Sequence, residues 1–254
     1  MKSFTAMLAF FTRIPVRAPG DWDDVQFKKG IKYFFIIGLI VGLPVGAVML
    51  LKMWAGPYLA AFAALVVYLL LSGGLHVDGM ADTMDGFAAH RDKEGTLAIM
   101  KDSHIGTFGV LAVCLYAIGM TVSLAQTQEL AVWLFPLVGR SAALICARLF
   151  GSAQPDGLGK SFIDGVKTFN VIVAISVYIF IEVVLCLLTA GLPNGWLLCA
   201  GLTASFAVAV LSTLLIVSGM AKRLSGITGD LIGFSIEFSQ LVFLLNACIV
   251  VIVL

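Results

Sequence analysis

Runs of about twenty apolar residues alternate along this chain with short polar segments, and no stretch alternates apolar and polar residues one by one as a half-buried strand would. Seven such runs stand out, at roughly 33–51, 57–75, 108–125, 130–149, 171–190, 196–218 and 234–254. A helix rises about 1.5 Å per residue, so about twenty residues cross about 30 Å of hydrocarbon. The pattern predicts an all-α, polytopic membrane bundle of about seven transmembrane helices, one membrane-embedded unit over 1–254. Ahead of the first run, Phe4, Met7, Leu8 and Phe11 fall on one side of a short helix, and Arg13-Ile14-Pro15 follows without a small-residue cleavage site. This predicts an N-terminal interfacial helix and not a signal peptide.

Composition sharpens the reading. Of 254 residues, 60% are hydrophobic and only 12% charged, where a soluble domain carries about 25% charged residues. A net charge of +1 offers no bulk attraction for nucleic acid, and no nucleic-acid partner is expected. The basic residues are informative by position. Lys2, Arg13, Arg17, Lys28, Lys29 and Lys32 precede the first run, and only Lys52 separates it from the second. The N-terminus is therefore expected on the cytoplasmic face of a multi-pass protein of the cytoplasmic (inner) membrane. The other connections alternate accordingly: Arg91, Lys93 and Lys101, then Arg148, Lys160 and Lys167, then Lys222 and Arg223 share that side, while those near 126–129 and 191–195 have no Lys or Arg. Asp21 and most other carboxylates fall on the same side, leaving Glu129 outside and Glu182 and Glu237 within spans. Cys114, Cys146, Cys186, Cys199 and Cys248 stand singly in apolar runs, as packing thiols would.

The unusual chemistry sits in residues 76–104, which hold all three histidines, His76, His90 and His104. Asp78, Asp82 and Asp85 are spaced i, i+4, i+7 and fall within an arc of about 60° on a helix. Three carboxylates so close repel unless a cation sits among them, and hard divalent cations take oxygen ligands. The spacing points to a Mg²⁺–phosphate site; an acidic, solvated helix end is the bland alternative, and a zinc site using the histidines a third. Gly79, Ala81 and Gly86 keep the surroundings slim. Lys101 and Asp102 stand at the entrance to the third run, as phosphate and metal contacts or as an ordinary N-cap by Asp102 or Ser103. Histidine ligates Mg²⁺ poorly, so His76 and His104 suit proton transfer or hydrogen bonding to substrate, and His90 suits solvent.

A further patch, Lys222 to Asp230, is followed by Glu237 seven residues on, inside the last run. An acid within a span is a functional candidate, and Thr228-Gly229 at a helix start can present N–H groups to an anion. Lys222 and Arg223 serve equally as membrane anchors or phosphate contacts, and Glu182 reads as a hydrogen-bonding group within the bundle. Gly38, Gly42 and Gly46 license close helix approach, within the chain or across a dimer. Residues 151–167, with Pro155 and several glycines, read as a mobile cytoplasmic loop.

Gly73-Gly74-Leu75-His76-Val77-Asp78-Gly79-Met80-Ala81-Asp82-Thr83-Met84-Asp85-Gly86, followed by Ile99-Met100-Lys101-Asp102-Ser103-His104-Ile105-Gly106-Thr107, resembles the signature of the cobalamin synthase family, the adenosylcobinamide-GDP ribazoletransferases. Phe10-Phe11-Thr12-Arg13-Ile14-Pro15-Val16 and Thr228-Gly229-Asp230-Leu231-Ile232-Gly233, running on through Glu237, are similar to that family's pattern as well. His104 is a departure, standing where many members carry arginine. The resemblance implies a Mg²⁺-dependent membrane transferase that joins adenosylcobinamide-GDP to α-ribazole or its 5′-phosphate and releases GMP. It implies metal binding by Asp78, Asp82 and Asp85, with Asp102 or His76 orienting or deprotonating the attacking hydroxyl. Asp230 and Glu237 complete the catalytic set, and Arg13, Lys101, His104, Lys222, Arg223 and Thr228 contact substrate phosphate. A homo-oligomer and an association with other cobalamin-assembly enzymes are compatible with it. Two rivals share the acidic helices: a CDP-alcohol phosphotransferase, whose D-G-x-x-A-R spacing is not met after Asp78, and a cation- or proton-coupled transporter, for which internal repeats are lacking.

Overall fold

A computed structural model describes residues 2–17, 23–127, 129–189 and 194–253. Asp21, the side chain of Glu129, the connection at 191–193, and the ends of two expected spans at Ala190 and Leu254 lie outside the described residues. Among the described residues the chain is helical, apart from a single parallel bridge between Ser152 and Ile227. The helices are α1 (Lys2–Phe11), α2 (Asp24–Gly30), α3 (Phe34–Met49), α4 (Lys52–Ala55), α5 (Pro57–Ser72), α6 (Leu75–Ala88), α7 (Lys93–Met100), α8 (Thr107–Gln126), α9 (Glu129–Phe150), α10 (Leu158–Gly165), α11 (Thr168–Thr189), α12 (Gly195–Leu224) and α13 (Gly229–Val253).

Among the described residues six helical stretches are long and apolar enough to cross a membrane: Asp24–Ala55 as one run of 32 residues, α8, α9, α11, α12 and α13. This is a polytopic membrane bundle. The expected span at 57–75 differs. It stops after the 16 residues of α5, and the chain turns by 91° into α6. The cause is local: Gly73 and Gly74 both have left-handed backbones, φ +67° and +71°, which no helix continues and glycine adopts without strain. The aspartate motif thus rides on its own helix, lying across the direction of α5.

At the centre stand α9 and α13. Of the most apolar window of α9, 83% is buried, against 17% for α11, which faces outward. The glycine ladder of α3 seats it on α9: a Cβ on Gly38 would lie 2.7 Å from the Pro136 carbonyl oxygen, and Gly42 and Gly46 back directly onto Trp133. The ladder therefore serves packing within this chain.

Two sequence expectations change. The apolar face of α1, with Met7, Leu8 and Phe11 buried, lies on protein and not on lipid, because α2 and α3 supply Phe27 and Phe34 to receive it. Residues 151–167 are not loop throughout, since α10 covers Leu158–Gly165. Leu158, Phe162 and Ile163 build an amphipathic turn, and α10 forms with Phe162 and Ile163 buried and Lys160 paired to Asp164 at 2.7 Å. Cys146, Cys199 and Cys248 are buried as packing thiols, whereas Cys114 is exposed.

Gly42→Ala should force α3 off α9 and lower stability by about 1–3 kcal/mol, while Gly219→Ala, with nothing within 4 Å of the added carbon, should be neutral or slightly stabilising. Thermal unfolding in detergent of both variants checks this.

Candidate active site

Two glycines decide where the acids meet. A Cβ on Gly79 of α6 would lie 2.9 Å from the Asp230 Cα, and one on Gly233 of α13 would lie 2.9 Å from the His76 carbonyl oxygen. The helices therefore cross backbone against backbone, and the first turn of α13 comes to the first turns of α6. That first turn is capped by Thr228, whose Oγ1 accepts from the Leu231 N–H at 3.2 Å. Gly159 at the start of α10 packs against Gly229 in the same way.

Asp78, Asp82, Asp85 and Asp230 are close enough to feel one another. Burial, and then the neighbouring charges of Asp78, Asp230 and Asp85, push the Asp82 carboxyl up from 3.8 to about 6. Among the described residues no three His, Cys, Asp or Glu groups form a closed cage for a metal ion.

The acidic strip has a cavity at each end. At the Asp78 end, a cavity of about 260 Å³ is walled by Phe10, Phe11, Phe27 and Phe162, with His76, Asp78 and Asp230 on its lining. Beside it a second hollow brings Arg13 and Asp78 together around Gly73 and Gly74. The Arg13 side chain lies over Gly73, and the Arg13 backbone N–H donates to the Leu71 carbonyl at 2.7 Å. At the other end, Asp85, Asp102 and His104 line a separate hollow.

Other sequence candidates occupy distinct settings. Asp85 accepts from the N–H groups of Gly106 at 2.7 Å and Gly109 at 2.8 Å, so it caps α8 from across the bundle. A side chain at either glycine would strike that carboxylate. Neither Asp102 nor Ser103 is the N-cap of α8; that position is Gly106. Asp102 instead accepts from the His104 ring Nδ1 at 2.7 Å, a contact that holds its carboxyl below the ordinary range, and both side chains are exposed. Arg223 stacks over Phe87 and donates to the Phe87 and Arg91 carbonyls, so it anchors the end of α12 to the end of α6 and does not line the cavities at Asp78. Lys101 and Lys222 are exposed and line none of these hollows. His90 is exposed, as expected.

Glu237 shares a helix face with Asp230 but lies about 10 Å further along α13. It is fully buried and accepts from the hydroxyls of Tyr68, at 2.7 Å, and Tyr116. The structure thus separates it from the cavities and gives it a place in the bundle's polar core. Glu182 likewise accepts from Thr203 at 3.0 Å and Tyr178 at 3.3 Å, the bundle role expected of it. His76 is 3% exposed and stacked on Phe11 at 5.9 Å; burial, helped by the Arg140 charge, pushes it down to about 3, so its imidazole is neutral.

Sequence reasoning missed Arg140, fully buried in α9 with Nη1 donating to the Pro136 carbonyl at 3.1 Å and its charge acting on Glu237. A lone arginine in the middle of the run 130–149 was the signal. It also missed the aromatic walls, whose residues are far apart in the chain.

A membrane-embedded helical bundle with an aspartate cluster beside an arginine is the equipment of a phosphoryl-transferring membrane enzyme. Residues 3–249 match the cobalamin-5-phosphate synthase family, and the chain belongs to it. It is 36% identical over 252 residues to the adenosylcobinamide-GDP ribazoletransferase of Alkaliphilus oremlandii, covering 97% of each chain. It is 32% identical to the enzymes of that name from Clostridioides difficile, over 96% of each chain, and Clostridium acetobutylicum, over 94% of this chain and 93% of the relative. No solved structure matches. The activity is that of an adenosylcobinamide-GDP ribazoletransferase in assembly of the cobalamin nucleotide loop, which sets aside the phosphotransferase and transporter readings.

The folded protein holds the Asp82 proton more tightly than the unfolded chain, so stability of metal-free protein should fall as pH rises from about 4 to about 6 and level off above. Thermal unfolding across that range should show this slope, and Asp82→Asn should flatten it.

Proposed function

We propose that the transfer takes place at the crossing of α6 and α13, and that the acids gathered there hold Mg²⁺. The observation that carries this reading is the convergence of Asp78, Asp82 and Asp230 beside Arg13. The residues fit that ion. Their donors are carboxylate oxygens, joined by the Thr228 hydroxyl 3.4 Å from Asp230. An incomplete protein cage suits Mg²⁺, which is usually held by one or two carboxylates with waters and substrate phosphates. Asp78, Asp82 and Asp230 would hold it, and when bound it supplies positive charge against the pyrophosphate. Asp85, with both oxygens bonded to the α8 backbone, keeps the strip in place.

The reaction joins the ribose hydroxyl oxygen of α-ribazole, or of its 5′-phosphate, to the phosphorus on the corrinoid side of the pyrophosphate. The bridging P–O bond breaks, GMP leaves with that oxygen, and the hydroxyl proton passes to a base. Arg13 faces the cavity edge as a bidentate phosphate contact, and the half-buried N-terminus of α13 at Gly229, on the lining of the Asp78 cavity, offers N–H groups to the same anion. Neutral His76, too weakly basic to take the proton, hydrogen-bonds the substrate; a carboxylate of the cluster takes it. Asp102 and His104 line the far hollow with Lys101 nearby, placed to meet the other end of a long, doubly charged substrate. Lys222 with Arg223 anchors the membrane edge. The basic residues of the loops support a cytoplasmic position for this face and for the N-terminus.

Purified protein in lipid, given adenosylcobinamide-GDP and α-ribazole 5′-phosphate, should release GMP with Mg²⁺ and none with EDTA. Asp78→Asn should lower that release by at least about a hundredfold while leaving thermal unfolding near that of the parent; near-normal release from the folded variant would remove Asp78 from the site.

A further inference from the structure

The wall of the Asp78 cavity is aromatic to a degree that phosphate chemistry does not require. Phe10 and Phe11 come from α1, Phe27 from α2 and Phe162 from α10, and His76 adds a fifth ring from α6. Phe10 meets Phe11 at 4.7 Å and Phe27 at 5.5 Å between centroids, while Phe11 meets Phe162 at 5.8 Å and His76 at 5.9 Å. Rings so arranged favour a flat, π-rich guest. His76, whose ring belongs to this lining, has a buried Nε2 with no hydrogen-bond partner among the described residues. A buried ring nitrogen without a partner is unfavourable until a ligand atom meets it.

We propose that this cavity receives the bicyclic base of the ribazole substrate, with His76 Nε2–H donating to the free ring nitrogen of that base. The proposal rests on the ribazoletransferase reading and deepens it. A benzimidazole has two ring nitrogens; the ribose occupies one, so a single acceptor remains, and the unpartnered His76 nitrogen matches it. Guanine, the other heteroaromatic group in the reaction, carries several donors and acceptors that phenylalanine walls would leave unpaired, at a cost in binding. The corrin macrocycle is too large for about 260 Å³. Asp78 and Asp230 form the polar edge of the same cavity. A base seated among the rings therefore sets its attached ribose at the carboxylates, and orientation of this kind is a large part of catalysis for a two-substrate transfer.

The test is GMP release by full-length protein in lipid, with α-ribazole and with a riboside whose indole base replaces the free ring nitrogen by CH. Phe10→Ala, which removes a half-exposed wall ring, should raise KM for α-ribazole about tenfold and change KM for adenosylcobinamide-GDP by less than about twofold. Leu158→Trp, at an exposed edge of the cavity, should do the same by narrowing it without disturbing a buried ring. Wild type should prefer α-ribazole to the indole riboside by on the order of tenfold in kcat/KM, and His76→Phe should abolish that preference. If the two wall variants instead raise KM for the GDP substrate and weaken binding of GMP, the cavity takes guanine and the proposal is overturned. Unchanged KM values in folded variants overturn it equally. Binding of α-ribazole and of GMP, measured without turnover, separates the two levels. A wild type that releases no GMP but binds α-ribazole through Phe10 retains the cavity and loses the transferase reading, and one that binds no α-ribazole loses the cavity.

Discussion

The contact on which the rest depends is the crossing of α6 and α13, where Gly79 lies on the backbone of Asp230 and Gly233 on the backbone of His76. Side chains at these positions would hold the helices apart by the width of a methyl group or more, and carboxylates on opposite helices would no longer share an environment. The crossing works only because α6 is free to lie across the bundle, which the left-handed pair Gly73-Gly74 permits. Four glycines thus convert an acidic stripe on one helix into a cluster drawn from two.

Such a cluster is costly to charge, since burial first and the neighbouring carboxylates second raise the Asp82 carboxyl, and the surrounding structure holds it in place. Asp85 ties the C-terminal part of α6 to the first turn of α8, and Arg223 ties the same end of α6 to α12. Both are charged groups bonded to backbone N–H or carbonyl groups that helix ends leave open. These contacts resist the spreading that mutual repulsion would otherwise cause, and they keep charged side chains of the motif from acting as free ligands.

Below the site the bundle carries a polar core unusual for a membrane interior. Glu237 between Tyr68 and Tyr116, and Arg140 on α9, stand where an uncompensated charge is costly. Their partners come from α5, α8, α9 and α13, so the arrangement also fixes how the central helices turn relative to one another. Burying these groups at the centre leaves the apolar faces of α8, α11 and α12 to the lipid.

The sequence by itself determined the helical, membrane-embedded class, because twenty-residue apolar runs have few other solutions, and its motifs and spacing singled out Asp78, Asp82, Asp85 and Asp230 as candidates. It also carried the packing use of the α3 glycine ladder as one of two options. Tertiary structure decided the rest, since each outcome depends on groups distant in the chain. Asp85 became a cap because Gly106 and Gly109 came to it, Arg223 an anchor because the end of α6 offered open carbonyls, and Glu237 a core acceptor because two tyrosines reached it. The aromatic cavity had no linear signature: Phe10, Phe27 and Phe162 lie on three helices, and only folding makes them one wall. Periodicity reads the face a residue occupies, whereas its partner is a property of what the other helices bring to that face.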